Sequence, residues 1–570
     1  MQELSLLIGG EAGQGVESSG HMLGLNFARA GLNVFAMNEF ASQIRGGHNF
    51  HKVRVSNEEV HGHLDNVNMI LALNKETVDR HVGDLVEGGV VIYDADAGVE
   101  EGEYRDDVKF LAVPLKKTAL DMGGKEIMQN TTGIGTVFAL LDFELEIFEK
   151  ILEEKFSEKG ERIVKLNKEI LKAGYDFAKE NFDGEFPVRL NSTDKEFMFL
   201  NGNDAICLGA LKSGCKFVAE YPMTPSSSIL HIMASYAYDY GIVVKHTEDE
   251  IAAVNMLTGA AFAGVRCMTG TSGGGFSLMT EGCGVAGNAE LPIVIVNVQR
   301  PGPSTGLPTR TEQSDLRQVM HASQGDYPRM VVAPGDADEC FYEAFRAFNL
   351  ADKYQLPVFI LSDKYLGEAA KTVAKFNEEG LAIDRGKLVS EVGEDYKRFA
   401  MSDDGVSPRV LPGTPGGRHL ASSYEHNEKG FHTEEPEERS AMMEKRMKKM
   451  EGLLAELEAP KLIGAEDADA TLVTWGSSKE TCISAVKKLA RNGVTANILQ
   501  IKYMVPFHKK EIGEILARAK KKINVEMNYS GQLAGLIKQE TGMDMDGSVL
   551  KYSGRPFTGL EIANKVKELL

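Results

Sequence analysis

The sequence predicts an α/β protein with three α/β domains. Short runs of Val, Ile and Leu recur along the chain, and most of them alternate with stretches of helical spacing. Continuous apolar runs of this length are typical of strands that are buried on both faces of a largely parallel sheet. The runs form three groups, in residues 1–185, 196–385 and 466–570. A chain of 570 residues is also too long for a single hydrophobic core.

Each group predicts its own strands. In the first group they are LSLLIGG, NVFAMN, FHKVRVS, VNMILALN, GGVVIYDA and KFLAVPL. In the second group they are FVAEY, GIVVKH, VRCMTGT, LPIVIVNVQ, RMVVAP and PVFILSD. In the third group they are DATLVTWG, VTANILQIK and KINVEMN.

Residues 386–465 differ from the three groups because Gly, Pro, His and charged residues are frequent in them. This composition predicts a long loop or linker followed by a charged helix. His419, Glu425, His426 and His432 lie here at irregular spacing, which favours surface side chains over a metal site. We therefore expect no metal centre on this chain.

Composition and charge narrow the class of function. The formal net charge of −20 disfavours nucleic acid and anionic membranes as partners. The N-terminus lacks the pattern of a signal peptide and no apolar run is long enough to span a bilayer, so we expect a cytoplasmic protein. The six cysteines are scattered without a C-x-x-C pair, which predicts buried thiols rather than disulfides or an iron–sulfur site.

A stiff polar joint, YPMTPSSS (221–228), separates a predicted strand from a predicted helix. Two prolines restrict the backbone and a Ser or Thr can cap the next helix, so a plain strand-to-helix turn accounts for the pattern. A second interpretation is that Thr224 is held rigidly at the carboxyl edge of a parallel sheet, where open α/β sheets bind ligands. The local sequence leaves both interpretations open.

Glu250 also has two interpretations. Its spacing from Thr247 is that of a capping box, in which the Glu250 side chain hydrogen-bonds back to the residue that caps the helix. Alternatively, the small apolar helix that follows and the nearby turn GTSGGG would bury the carboxyl group and raise its pKa. A buried acid of raised pKa is suited to sharing a proton with a ligand.

Two further motifs are candidates for anion binding. Arg300 ends an apolar strand and precedes a proline-rich loop that contains Thr309, which suits bidentate binding of a carboxylate. A salt bridge to an acidic residue elsewhere is the plainer alternative for Arg300. GGEAGQG (9–15) joins a strand to a helix, where backbone N–H groups can approach a phosphate. Its spacing is not G-x-G-x-x-G, so a tight turn is the default interpretation and an anion-binding turn the second.

Several segments, taken in order, resemble the α subunits of 2-oxoacid:ferredoxin oxidoreductases that carry a fused γ domain, most closely the 2-oxoglutarate type. GGEAGQGVESSG and SQIRGGHNFHKVRVS resemble the γ-type domain, which would occupy residues 1–185. YPMTPSS, EDEIAAVNMLTGAAFAGVRCMTGTSGGG and QRPGPSTGLPT resemble the domain that binds the pyrimidine of thiamine diphosphate, in residues 196–385. SPRVLPGTPGG matches the family's linker, while VEMNYSGQLA and YSGRPFTG resemble its transketolase C-terminal-like domain, in residues 466–570.

The resemblance implies roles for three sets of residues. Those expected to contact thiamine diphosphate are Glu250, Tyr221, Pro222, Thr271 and Ser272. Those expected to bind the 2-oxoacid are Thr224, Arg300 and Thr309. Those expected near coenzyme A are Gly13, Gly15 and Arg45. In the first set Glu250 would be catalytic, because its hydrogen bond to N1′ of the aminopyrimidine favours the tautomer that activates the cofactor.

The activity that the resemblance implies is the reversible oxidative decarboxylation of 2-oxoglutarate with coenzyme A, which yields succinyl-CoA and CO₂ and passes electrons to ferredoxin. The sequence has no G-D-G segment followed by Asn, which binds Mg²⁺ and diphosphate in this class. The resemblance therefore implies a β subunit that carries this site and a 4Fe–4S cluster, in a dimer of αβ pairs. Pyruvate or a branched-chain 2-oxoacid is an alternative substrate. A non-catalytic module that binds coenzyme A or a nucleotide is an alternative of another class.

Overall fold

A computed structural model describes residues 3–42 and 46–570 of the chain. The chain forms two compact units. The first consists of Met1–Leu200 with Ala369–Phe376, and the second of Asn201–Glu368 with Asn377–Leu570. The short segment Ala369–Phe376 thus belongs to the first unit although it lies far along the chain. The finer division into four segments, made from the sequence, stays a prediction.

The strands of the described residues include every apolar run named above, so the predicted α/β class with three sheets is confirmed. In chain order the strands are β1 Glu3–Glu11, β2 Asn33–Glu39, β3 His48–Ser56, β4 Val67–Ala72, β5 Leu85–Asp94, β6 Lys109–Val113, β7 Met198–Leu200, β8 Phe217–Glu220, β9 Val243–His246, β10 Cys267–Thr271, β11 Val294–Gln299, β12 Met330–Val332, β13 Val358–Asp363, β14 Ala370–Val373, β15 Leu462–Ile463, β16 Ala470–Thr474, β17 Ala496–Gln500, β18 Tyr503–Val505, β19 Lys522–Glu526 and β20 Gly547–Leu550.

Helices alternate with most of these strands. They are α1 Val16–Arg29, α2 Lys75–His81, α3 Leu115–Asp121, α4 Gln129–Leu141, α5 Glu146–Phe156, α6 Glu161–Asn181, α7 Gly202–Lys212, α8 Ser227–Ser235, α9 Ala237–Tyr240, α10 Glu250–Phe262, α11 Gly273–Asn288, α12 Leu316–His321, α13 Ala337–Tyr354, α14 Lys364–Glu368, α15 Pro436–Glu456, α16 Ser478–Arg491, α17 Lys509–Arg518, α18 Gln532–Thr541 and α19 Gly559–Leu569. In the described part of the chain, none of these helices has the length and apolar character that crossing a bilayer requires.

The first unit is built on an eight-stranded sheet of order β6-β5-β4-β1-β3-β2-β14-β7. The pairs from β6 to β1 are parallel, whereas the pairs from β1 to β7 are antiparallel. The expectation of a largely parallel sheet is therefore wrong for this unit. The connection from β2 to β3, residues 40–47, is too short for the crossover of about a dozen residues that a parallel pair needs.

The second unit contains the other two sheets. The seven-stranded sheet has the order β18-β12-β13-β11-β10-β8-β9 and is parallel except at β18–β12. The five-stranded sheet has the order β15-β17-β16-β19-β20 and is parallel except at β15–β17. Because β8, β10, β11 and β13 are mutually parallel, their carboxyl ends meet at one edge of the larger sheet. Ligands of open α/β sheets bind at such an edge.

Buried ion pairs hold the long segment between β14 and α15, which has no helix or strand of its own among the described residues. Asp352 is buried and forms ion pairs at 2.7–2.8 Å with three arginines, Arg266, Arg385 and Arg409. His426, expected at the surface, is also fully buried. Its ring packs 4.0 Å from a phenylalanine ring, and both of its ring nitrogens lie within hydrogen-bonding distance of backbone carbonyls.

Two glycines allow α4 and α6 to pack backbone against backbone in the first unit. A Cβ atom at Gly135 on α4 would lie 2.0 Å from the carbonyl oxygen of Leu171 on α6. A Cβ atom at Gly174 on α6 would lie 2.0 Å from the carbonyl oxygen of Thr132 on α4. Any larger residue at either position would therefore clash with the facing helix, because a backbone atom cannot move aside as a side chain can.

We predict that Gly174→Ala destabilises the first unit by about 1–3 kcal/mol, since overpacking outweighs the helix propensity that alanine adds. A fall in melting temperature measured by differential scanning fluorimetry checks this prediction. Gly102→Ala is the matched control, because a Cβ atom at Gly102 has open space around it. Equal melting temperatures of the two variants would contradict the close packing of α4 on α6.

Candidate active site

The stiff joint between β8 and α8 and the end of β11 meet at the carboxyl edge of the seven-stranded sheet. Nη1 of Arg300, the residue after β11, donates a 2.7 Å hydrogen bond to the backbone carbonyl oxygen of Thr224. The structure thus joins two of the predicted site residues. The guanidinium group donates to a carbonyl oxygen rather than to a carboxylate. This hydrogen bond is therefore not the salt bridge that was the plainer alternative for Arg300.

Glu250 begins α10, and the residue that caps this helix is Asp249. The Asp249 side chain accepts a 2.7 Å hydrogen bond from the amide of Ala252, while the Thr247 hydroxyl donates to the Asp249 carbonyl. The capping-box interpretation of Thr247 and Glu250 is therefore wrong. An acidic residue immediately before the helix supplies the cap and leaves the Glu250 side chain available for another role.

The Glu250 carboxyl group is buried and incompletely paired. The residue is only 3% exposed, and within the described part of the chain its Oε1 has no hydrogen-bond partner. Burial raises the pKa of Glu250, while the charge of Arg300 acts in the opposite direction. A buried acceptor without a partner costs free energy, so it marks a position at which a ligand would be bound.

The first turn of α11 provides space for this carboxyl group. A Cβ atom at Gly275 would lie 2.3 Å from Oε1 of Glu250 and 2.4 Å from the hydroxyl of Thr271, which is fully buried. Ser272, the N-cap of α11, is also fully buried, and its hydroxyl has no hydrogen-bond partner among the described residues. Two unpartnered polar atoms, on Glu250 and Ser272, therefore lie in the same region of the sheet edge.

A cavity of about 500 Å³ opens beside Arg300. It is lined by Met223, Gly273, Gly274, Ser277, Arg300, Pro301, Gly302, Pro303, Ser304, Thr305, Asp315 and Gln318. The lining includes Arg300 but not Thr224 or Thr309. Thr309 is buried in the loop, where its carbonyl accepts a hydrogen bond from Arg310. Tyr221 is 38% exposed and its ring centroid lies 6.2 Å from that of His246.

Two acidic residues of the site were missed in the sequence. Asp315 lines the cavity, and its carboxyl group accepts a 3.2 Å hydrogen bond from Asn297. Burial raises the pKa of Asp315 to about 6 against the opposing effects of Asn297 and Arg300. Glu220 ends β8, is fully buried, and accepts a 3.1 Å hydrogen bond from the amide of Gly270. Burial raises the pKa of Glu220 well above its ordinary value.

These two acids had a signal in the sequence, which is their position. Glu220 directly ends the apolar run FVAE, and Asp315 closes the loop that begins at Arg300. Both are faced by glycines of one turn, since a Cβ atom would lie 2.8 Å from Glu220 at Gly270 and 2.5 Å from Asp315 at Gly273. The absence of side chains at these glycines leaves the space that the two carboxyl groups occupy.

In the first unit, the predicted glycine turn leads directly into α1. Gly13 and Gly15 have φ values of +96° and +76°, and Gly15 is the N-cap without a side-chain hydrogen bond. Arg45 lies outside the described residues. Among the described residues no three His, Cys, Asp or Glu side chains are grouped as metal ligands.

Comparison with known proteins identifies the family of this chain. Three family models match in order: pyruvate ferredoxin/flavodoxin oxidoreductase at residues 5–177, the thiamine-diphosphate-binding domain of pyruvate flavodoxin/ferredoxin oxidoreductase at 208–445, and core domain II of pyruvate:ferredoxin oxidoreductase at 468–559. The α subunit of 2-oxoacid:ferredoxin oxidoreductase 2 from Aeropyrum pernix is 32% identical over 100% of this chain and 98% of its own. The chain belongs to the family of 2-oxoacid:ferredoxin oxidoreductase α subunits.

Two other relatives carry names for a particular substrate. The 2-oxoglutarate synthase subunit KorA of Methanothermobacter thermautotrophicus is 35% identical over 66% of this chain and 99% of its own. A solved structure of 2-oxoglutarate:ferredoxin oxidoreductase from Magnetococcus marinus, with 2-oxoglutarate, coenzyme A and succinyl-CoA bound, is 32% identical with a TM-score of 0.93 over 100% of both chains. As a 2-oxoacid:ferredoxin oxidoreductase α subunit the chain is part of an enzyme, so the alternative of a non-catalytic module is wrong.

We predict that Asp315→Asn makes the melting temperature less sensitive to pH. The folded-state pKa of about 6 lies above the ordinary 3.8, so the favourable contribution of the protonated Asp315 is lost as the pH rises from about 4 through 6. Between pH 5 and pH 8 the stability of the variant relative to the natural chain should therefore increase by about 1.5 kcal/mol, which is roughly half of the full shift, because the remainder is lost below pH 5. Melting curves of both proteins across this range measure the difference.

The same substitution at exposed Asp326, in the same unit, is the control for that series. Glu250, whose pKa is also raised by burial, is present in every protein compared, so its titration cancels in the difference. The pKa of Glu312 is raised by burial and also by the charge of Asp315, so the removal of that charge is part of the measured effect. A difference between Asp315→Asn and the natural chain that stays constant with pH would contradict the burial of this carboxyl group.

Proposed function

We propose that the chain is the α subunit of a 2-oxoglutarate:ferredoxin oxidoreductase. This enzyme decarboxylates 2-oxoglutarate in the presence of coenzyme A, forms succinyl-CoA and CO₂, and passes two electrons to ferredoxin in a reversible reaction. The likeness to the Magnetococcus marinus structure over the whole of both chains carries the proposal, because that structure contains 2-oxoglutarate, coenzyme A and succinyl-CoA. The residues at the carboxyl edge of the seven-stranded sheet also support the proposal, because their side chains suit thiamine diphosphate and a 2-oxoacid.

The residues around Glu250 fit the aminopyrimidine of thiamine diphosphate. When bound, this cofactor supplies the nucleophilic and electron-accepting chemistry of the decarboxylation. Oε1 of Glu250 would hold a proton for a ring nitrogen of the cofactor, because burial raises its pKa and leaves the atom without another partner. Ser272 supplies a second unpartnered polar atom, and Thr271, Tyr221 and Pro222 are proposed as neighbours of the ring.

Arg300 is proposed to bind the carboxylate of the 2-oxoacid. One of its donors is occupied by the Thr224 carbonyl, and a guanidinium has five N–H donors, so further donors can point to a substrate. The hydrogen bond also restrains the side chain, which reduces the entropy that binding would cost. Thr224, and Thr309 from the following loop, are proposed as its companions at the 2-oxoacid.

Coenzyme A is proposed to approach the N-terminus of α1 at Gly13 and Gly15. The first turn of a helix has N–H groups without partners inside the helix, and its dipole favours a phosphate. Gly15 caps α1 without a side chain in the way of such a ligand. Arg45, from the neighbouring loop, stays a prediction from the sequence.

A β subunit is proposed to complete the active site with Mg²⁺, the diphosphate site and a 4Fe–4S cluster. Helices α10 and α11, which begin at the site, present large apolar side chains that are 38–49% exposed, namely Ile251, Met256, Phe262 and Leu278. An apolar helical surface beside an active site is typical of one that a partner covers. Ferredoxin as acceptor and a dimer of αβ pairs belong to the same proposal, and the cytoplasmic location stays a prediction.

Pyruvate or a branched-chain 2-oxoacid is a second candidate substrate. The matched family models are named for pyruvate, and the Aeropyrum pernix relative is named for 2-oxoacids in general. The chemistry at Glu250 and Arg300 would be the same for each, because every 2-oxoacid presents the same carboxylate and keto group to the cofactor.

We expect anaerobic native purification to yield a complex of this chain with a cysteine-bearing chain, iron and thiamine diphosphate. The complex should reduce viologen in a reaction that depends on coenzyme A. Rates with 2-oxoglutarate, pyruvate and a branched-chain 2-oxoacid, measured side by side, decide the substrate. A chain that runs alone, without iron, thiamine or activity under these conditions, would remove the main support for the proposal.

We predict that Glu250→Gln lowers turnover by at least about 100-fold, because the amide cannot share a proton as the buried acid does. The complex should assemble normally, as measured by gel filtration, since the cap of α10 is Asp249 rather than Glu250. Glu248→Gln is the control, because Glu248 is an exposed acid two residues away. Near-normal turnover of Glu250→Gln would end the catalytic assignment of this residue.

A further inference from the structure

The loop from Pro301 to Asp315, which follows Arg300, is anchored on the five-stranded sheet of the same unit. Gln313 is the centre of this anchor and is fully buried. Its backbone amide donates a 2.6 Å hydrogen bond to the carbonyl of Met527, and its own carbonyl accepts a 3.0 Å hydrogen bond from the Asn528 side chain. Both partners directly follow β19.

The side chain of Gln313 reaches the same sheet. Its Nε2 donates a 2.9 Å hydrogen bond to the carbonyl of Trp475, which follows β16. Its Oε1 accepts hydrogen bonds from the Ser478 hydroxyl at 3.0 Å and from the Met527 amide at 2.9 Å. The carbonyl, the amide and the side-chain amide of one residue therefore all bind the carboxyl edge of the five-stranded sheet.

Gly476 provides the space for this side chain. A Cβ atom at Gly476 would lie 2.7 Å from Nε2 of Gln313, and its φ of +53° is a conformation that favours glycine. The contact is thus shaped from both sides, with a long amide on the loop and a glycine on the sheet. This complementary shape indicates that the contact serves to hold the loop.

Adjacent residues of the loop have anchors of their own. The Thr311 hydroxyl donates a 3.0 Å hydrogen bond to Asp363, the last residue of β13. The Gln532 side chain, at the start of α18, donates to the Ser314 carbonyl at 2.7 Å and accepts from the Arg317 amide at 3.0 Å. Gln313 lies between these anchors and has the most contacts with the five-stranded sheet among them.

The anchor is close to the cavity in sequence and in space. Asp315 lies two residues beyond Gln313 and lines the cavity, and its backbone amide donates a 2.9 Å hydrogen bond to the side chain of Gln299. Gln299 is the residue before Arg300. The two ends of the loop are therefore joined at the cavity, while its body is held by the five-stranded sheet.

We propose that Gln313 is a positioning residue for the 2-oxoacid, which makes the five-stranded sheet part of the substrate-binding machinery. Gln313 sets the place of Asp315 and of the proline-rich wall beside Arg300 without touching the substrate. The inference rests on the proposed function, since it assumes that Arg300 binds the 2-oxoacid carboxylate. Displacing a binding group by about 1 Å can cost up to about 100-fold in rate, so a loose anchor is expected to affect substrate binding.

Two variants loosen the anchor in different ways in the assembled complex. Gln313→Asn keeps the amide but is one methylene too short, and Gly476→Ala pushes against the glutamine from the sheet. Asn497→Leu is the matched control, because Asn497 is a buried amide of the same sheet whose hydrogen bond goes to the Ala465 carbonyl instead of the loop. All three remove or strain a buried polar contact and are expected to lower the melting temperature.

Only the first two variants should change the handling of the 2-oxoacid. We expect the KM for 2-oxoglutarate to rise by about 10-fold or more in Gln313→Asn and Gly476→Ala, with a smaller fall in kcat. The KM for coenzyme A should stay within about two-fold in every variant, and Asn497→Leu should keep both constants. An unchanged KM for 2-oxoglutarate in either folded anchor variant, or the same shift in Asn497→Leu, would overturn the inference.

Hydrogen–deuterium exchange of residues 300–312 separates this inference from the proposed function. If the natural complex turns over no 2-oxoacid, the proposed function fails, and the anchor is then judged by exchange alone. Faster exchange in Gln313→Asn and Gly476→Ala than in Asn497→Leu supports the anchoring of the loop. Equal exchange in all three variants overturns it.

Discussion

The removal of carboxyl groups from water at one edge of the seven-stranded sheet is the constraint on which this site depends. Glu220, Glu250, Asp315 and Asp363 are all buried there, and burial raises the pKa of each. Glu290 is equally buried in the same unit, but Lys445 and Lys449 are ion-paired with it and its pKa is lowered. The fold thus buries one acid as an ion and keeps others able to carry a proton, which is the property that proton sharing with a ligand requires.

This constraint explains the glycines of the turn GTSGGG. Gly270, Gly273 and Gly275 each face a different carboxyl group, so one turn makes room for three acids from separate parts of the chain. Larger side chains would displace the acids, because each added Cβ atom would lie within 2.8 Å of a carboxylate oxygen. The same turn begins α11, whose N-terminal N–H groups favour a bound anion. Space for the acids and a helix N-terminus for an anion therefore come from one short segment, while the acids themselves come from other parts of the chain.

The second unit distributes the site over distant segments. Arg300 directly follows the central strand β11, yet the loop after it is held by residues 475–478 and 527–532, which follow strands β16 and β19 of the five-stranded sheet. A site residue on a rigid strand followed by an anchored loop loses little conformational freedom when a ligand binds. The ion pairs of Arg385 and Arg409 with Asp352 likewise hold the long segment before α15 on helix α13 rather than leaving it as a free linker.

The sequence by itself determined the α/β class, most of the strands and the family, because apolar runs and short motifs are local signals. The same motifs predicted Glu250, Arg300 and Thr224 as site residues, and their roles stay a proposal. The sequence could not decide between a capping box and a ligand-directed Glu250, since only the geometry at Asp249 identifies the cap. No apolar run predicted β14, which joins the sheet of the first unit, or β18, which joins the seven-stranded sheet. Pairings of this kind, and the anchoring of Gln313 on a sheet far along the chain, depend on contacts between distant residues, which no local pattern records.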